Sequence, residues 1–98
     1  MSARPDNTAM AAALAYEAQD AAAGQAPRVV AKGTGSLAEE ILRRARESGV
    51  PIHQSRELVS ALMQFDLEQH IPPALYVAVA EVLAWVYRLE AEAMPPAD

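Results

Sequence analysis

The segment Lys32-Gly33-Thr34-Gly35-Ser36 holds the polar groups best spaced for chemistry in this chain. It follows a short apolar stretch and opens a helical pattern, so its backbone N–H groups sit where a helix start can hold an anion. The G-x-x-x-x-G-K-[ST] spacing is absent, and a dinucleotide fingerprint has three glycines where this loop has two. Tight-turn glycines are the plainer reading, with a small anionic ligand at this helix start as the alternative. His53 and His70 are the two histidines, and neither H-x-x-x-H nor H-E-x-x-H spacing links them. A metal would therefore rest on distant carboxylates. No G-x-S-x-G surrounds any serine. The absence of cysteine removes disulfides, thiolate ligands and cysteine nucleophiles. Glu39-Glu40 and Glu90/Glu92 lie on exposed helical ground that does not converge on a cleft. The chain is expected to carry no catalytic residue, no metal and no cofactor.

Composition narrows the classes further. A chain of 98 residues makes one domain with a modest core. Hydrophobic residues make up 52% of it, enough to argue against disorder, although many are alanines that bury little area. A formal charge of −5 argues against a nucleic-acid binder. Arg43, Arg44 and Arg46 are the one basic cluster, and on a helix they interleave with Glu39, Glu40 and Glu47. Pairs Glu39–Arg43 and Glu40–Arg44 are expected there, which makes this a solvated charged face. Residues 1–15 lack the basic start and apolar run of a signal peptide. The run 71–89 is the one membrane suspect. Pro72 and Pro73 at its entrance, Glu81 mid-span and Arg88 near its end favour a buried helix instead.

The elements that would position these residues follow from local signals. Residues 28–32 are β-branched and apolar at their centre, between Pro27 and Gly33, and predict a strand. Gly33 and Gly35 are expected to supply positive φ in the turn that follows. Ser36 then caps a helix over 36–48, with Glu39 completing a capping box. Leu37, Ala38, Ile41, Leu42 and Ala45 mark its buried stripe. Gly49 and Pro51 stop it. Residues 51–53 read as a short second strand, parallel to the first through a βαβ crossover. Ser55 caps a helix running to about residue 65, and 66–69 is a polar break. The last helix, about 73–91, sets Leu75, Val79, Val82, Val86 and Leu89 on a core seam. Tyr76, Leu83 and Tyr87 flank that seam on one side and Trp85 on the other. Val77 and Ala84 share the back with Glu81 and Arg88, a face poor in charge that either docks a partner or lies under a neighbouring element. Residues 8–23 stay ambiguous, because alanine favours helix while Ala12, Leu14 and Tyr16 alternate as in a strand. Residues 20–27 form a loop in either case.

Three segments together resemble a known family. They are Val29-Val30-Ala31-Lys32-Gly33-x-Gly35, Val50-Pro51-Ile52, and Ile71-Pro72-x-x-Leu75-Tyr76-x-Ala78-Val79-Ala80-Glu81-Val82-Leu83-Ala84-Trp85-Val86. They are similar to the cytoplasmic C-terminal domain of the FlhB/YscU export-switch proteins of flagellar and injectisome type III secretion. The resemblance runs from about residue 11 to 89, and its last segment is the most specific. It implies an α/β domain over 9–91: a small, mainly parallel sheet of three to four short strands surrounded by three main helices. Residues 11–16 then become a strand despite their alanines. Residues 1–8 would be a flexible lead-in and 92–98 a disordered tail.

In that family the domain hangs from a membrane anchor and cleaves itself between the Asn and Pro of an Asn-Pro-Thr-His turn. Counted back from Leu14 and Tyr16, the corresponding positions here are Asp6, Asn7, Thr8 and Ala9; a second register makes Asn7-Thr8 the Asn and Thr with the Pro deleted. Neither supplies a scissile Asn-Pro bond, so autocleavage is not expected. The resemblance implies a cytoplasmic, non-enzymatic accessory of the export apparatus, recruited to its membrane-embedded part. It would act like a free post-cleavage domain in substrate-specificity switching or gate interaction. Its partners would be export-gate components, the ruler protein or the export ATPase, without nucleic acid or membrane insertion. Candidate contacts are Lys32, Thr34 and Ser36; Asp66, Glu68 and His70; and Val77, Glu81 and Arg88. The alternatives are a fold-retaining interaction module of an unrelated assembly and the small anionic-ligand binder. The oligomeric state stays open.

Overall fold

The computed structural model describes residues 9–93. The alanine-rich run does form a strand, β1 (Met10–Ala15), paired antiparallel with β2 (Arg28–Thr34). Between them lies a short helix, α1 (Ala18–Ala22), in what the sequence reads mostly as loop. Helix propensity loses in β1 because tertiary pairing overrides it. Each of its residues finds a partner on β2, from Met10 opposite Thr34 to Ala15 opposite Arg28. The register shifts between Ala13 and Leu14, where β2 carries Val30 as an extra residue, a β-bulge.

The sheet is therefore two-stranded and antiparallel among the described residues, and the expected parallel sheet is not what forms. Two causes are visible. The second edge of β2 is taken at its start by residues 68–71. Val29 N–H donates to the Gln69 carbonyl (3.0 Å), Glu68 N–H to the Val29 carbonyl (2.7 Å) and Ile71 N–H to the Pro27 carbonyl (2.9 Å). Meanwhile residues 51–53 offer too little backbone for a ladder, since Pro51 has no N–H and Val50 N–H closes the preceding helix on Ala45. The His53 ring instead lies against Trp85, with centroids 5.4 Å apart.

Helix α2 (Ser36–Glu47) packs on both strands. Ser36 does not cap it. Because β2 continues to Thr34, Gly35 alone links strand to helix and occupies the cap position, where no side chain is available. Gly35 has the expected positive φ of 60°, whereas Gly33 does not. Gly33 is needed for a different reason: a Cβ there would lie 2.5 Å from Leu37 Cγ. At the other end Gly49 (φ 73°) and Val50 donate to the Arg46 and Ala45 carbonyls, the Schellman stop that the sequence predicts.

On the outer face of α2, Glu40 accepts from Arg43 and, at 2.9 Å, from Arg44, while Arg43 also reaches Glu47 at 2.7 Å. The Glu40–Arg44 pair is the expected one, but Arg43 turns to Glu40 and Glu47 and not to Glu39. Hydrogen bonds from Arg43 and then Arg44 hold the Glu40 carboxyl down to about 2. Its folded pKa is depressed, so its contribution is present above the unfolded pKa and is lost as pH falls through the folded one. An NMR titration is expected to show Glu40 protonating well below the ordinary carboxylate range, and Arg43→Gln to bring it back toward that range.

Helix α3 (Arg56–Leu62) starts where expected, with Ser55 Oγ accepting from Leu58 N–H at 3.3 Å, and ends three residues early. A 3₁₀ turn (Pro73–Leu75) leads into α4 (Tyr76–Ala93). Val29, Leu62, Ile71 and Val79 form the core, with Ala12, Leu14, Leu58, Phe65, Leu75 and Leu83 packed around it. This puts α3 and α4 on one face of the sheet and α2, through Ala38 and Leu37 beside Gly33, on the other. Of the expected α4 seam, Leu75 and Val79 reach this core, together with Leu83 from the flank. Val82, Val86 and Leu89 are half-buried. Among the described residues no helix is long and apolar enough to cross a membrane.

Candidate functional site

The sequence-proposed contacts fall on three separate elements. Lys32, near the end of β2, donates from Nζ to the Met63 carbonyl (3.1 Å) and so closes the C-terminal end of α3. Thr34 and Ser36 are exposed beside it, but the Gly35 N–H between them donates to the Ala9 carbonyl at 2.8 Å. The N–H that an anion would most directly use is thus already bonded inside the chain. In the 66–70 loop, Asp66 and His70 are exposed while Glu68 accepts a hydrogen bond from Arg28. Val77, Glu81 and Arg88 are exposed on α4, so the back of that helix is not covered by a neighbouring element among the described residues. Of the proposed cleavage turn, Asp6, Asn7 and Thr8 lie outside the described residues. No cluster of metal-ligating side chains forms among those described.

Arg28 organises a cluster that local sequence signals do not reveal. Its Nη1 donates to Glu68 (2.7 Å), and its Nη2 donates to Glu17 (3.1 Å) and lies 4.0 Å from Asp20. Asp20 is 6% exposed and also accepts the Glu17 N–H at 3.0 Å. Glu17 and Glu68 are largely solvated, so each pair is worth at most about 1 kcal/mol. The geometric effect is larger than that energy suggests: one guanidinium ties the turn after β1 to the 66–70 loop. Glu68 has the one positive φ outside glycine among the described residues (68°), and both its backbone and its side chain bond to β2.

Beside this clamp, between the α1–β2 loop and the first half of α4, runs an apolar groove of about 300 Å³. Ile71 and Val79 form its floor. Ala26 and Pro27 wall it on one side, and Tyr76, Ala80 and Leu83 on the other. Tyr16 and Tyr76 stand at its rim, 37% and 48% exposed. A pocket that is mostly apolar, with a few polar tips at its edge, is suited to accepting side chains and not to proton transfer. The second hollow, about 470 Å³ on α2, is lined by Ser36, Glu39, Leu42 and the paired charges of Glu40 and Arg43. Of the groove residues, Tyr76 and Leu83 were legible as a flank of the last helix. Tyr16 and Ala26-Pro27 had no signal, because their neighbours in space lie far along the chain.

Comparison with known proteins settles the family. The model of the "FlhB HrpN YscU SpaS Family" matches residues 6–86. The chain belongs to this family. It is 40% identical to the uncharacterized protein YlqH of Bacillus subtilis (strain 168) over 80 residues, 82% of this chain and 83% of that protein. It is 47% identical over 66 residues to the flagellar biosynthetic protein FlhB of Yersinia enterocolitica, covering 66% of this chain but 17% of that protein. The fold matches the crystal structure of the PscU C-terminal domain with a TM-score of 0.70 and 35% identity, over 79% of this chain and 95% of that one. This FlhB-like chain thus corresponds to one short region of the flagellar protein and to nearly all of an isolated C-terminal domain.

Proposed function

We propose that this FlhB-like domain is a non-enzymatic docking module of a flagellar or related type III export apparatus, working on its cytoplasmic side. The family match over residues 6–86 carries the reading, and the groove between Pro27 and Leu83 supplies a surface for it. The occupant is a short segment that presents a few aliphatic or aromatic side chains, since the groove is too small for a folded surface. Neither Asp6-Asn7-Thr8-Ala9 nor the register that starts at Asn7 contains an Asn-Pro bond, and the chain acts uncut in this proposal.

The test places a photo-cross-linking amino acid at Gln25 or Tyr76, with Ser48, exposed at the C-terminal end of α2 and outside the groove, as control, in cells that make the chain. Export-apparatus components or exported subunits joined from Gln25 and Tyr76 but not from Ser48 support the docking role. Partners unrelated to secretion would show that the family fold serves another assembly. Intact mass of the recovered chain is expected to show no break at 6–9, and a break there overturns the non-enzymatic part.

A further inference from the structure

Helix α4 carries a second apolar seam on its outer face, distinct from the seam that meets the core. Val77, Ala80, Ala84, Tyr87 and Ala91 recur at alternating spacings of three and four, the a and d positions of a heptad. All five are exposed, Val77 at 74% and Tyr87 at 65%. Glu81 and Arg88 lie one heptad apart along one flank of this seam, at the e positions. Both are exposed, and neither makes an ion pair among the described residues. A solvated helix face would ordinarily be polar.

We propose that α4 pairs antiparallel with α4 of a second copy through this seam. Opposite charges on one flank select that occupant. In an antiparallel pair the e positions of the two helices face each other, so Glu81 meets Arg88 of the second copy and Arg88 meets its Glu81. The same two-fold register brings Ala84 opposite Tyr87 and Ala80 opposite Ala91, so each bulky ring crosses a small residue. A parallel pair gives no such match, because e positions then face g positions. The contact is isologous and closes at two copies. Ala80 also lines the groove, whereas Tyr16 lies outside the seam.

Sedimentation equilibrium of the 98-residue chain over a wide concentration range tests this, with far-UV circular dichroism as the check on folding. The chain is expected to dimerise with concentration. Glu81→Arg or Arg88→Glu alone is expected to weaken the dimer by at least about tenfold, because each sets like charges together at two places. The double reversal is expected to restore it, and Ala84→Glu to leave a monomer with unchanged helix content. A chain that stays monomeric throughout overturns the proposal. So does a dimer indifferent to these changes, and so does one that the double reversal fails to rescue.

Discussion

Ile71→Ala is expected to lower the unfolding free energy by about 3 kcal/mol, and the melting temperature by roughly 15 °C in a domain of this size. Ile71 is 3% exposed and touches the same core as Val29, Leu62 and Val79. Its backbone N–H bonds to the Pro27 carbonyl, so the residue ties the 68–71 segment to the chain entering β2, just ahead of the 3₁₀ turn that leads into α4. Removing the side chain therefore leaves a space in the core beneath the groove floor. Ile71→Val, which deletes one methylene, is expected to cost about 1 kcal/mol. Urea melts of the three proteins decide the matter. A loss below about 1 kcal/mol for the alanine variant would mean that the core does not centre on this residue.

The second large effect concerns binding. If the groove docks a partner as proposed, Tyr16→Asp combined with Tyr76→Asp is expected to reduce capture of that partner by at least about tenfold, because aromatic side chains at an apolar pocket are typical anchors. Tyr16 and Tyr76 are 37% and 48% exposed, so each replacement also loses packing worth about 1 kcal/mol, and binding is read against the melting curve of the same variant. Tyr76 opens α4, where an acidic residue also suits the helix dipole. The readout is partner recovery from the cells alongside a melting curve of the purified variant. Undiminished recovery with an intact fold would move the interface away from the groove.

The two variants separate the roles of one region. Ile71 and Val79 hold the groove floor as part of the core, while Tyr16 and Tyr76 shape its rim. A loss of binding in Ile71→Ala would follow from a loosened scaffold. A loss in the tyrosine pair with the fold intact would come from the surface itself.

Several outcomes whose signal and consequence lie within about one helical turn were determined by sequence alone. Ser55 capping α3, Gly49 and Val50 ending α2, Pro73 leading into α4 and the Glu40–Arg44 pair all follow from neighbours three to five residues apart. The specific run from Ile71 to Val86 likewise marked the family without coordinates. Tertiary structure decided what depends on a partner distant in the chain. Alanines 11–13 suit either helix or strand, and pairing with β2 selects the strand. Ser36 could have been a cap, but two more paired residues in β2 moved that position onto Gly35. The expected parallel neighbour of β2 lost its place because 68–71 already bonds to Pro27 and Val29. Arg28 meets Glu68 from forty residues away, and no periodicity in the sequence encodes such a meeting. Local hydrogen-bond geometry can be read along the chain, whereas the choice of a distant partner is made only when the competing edges and faces are brought together.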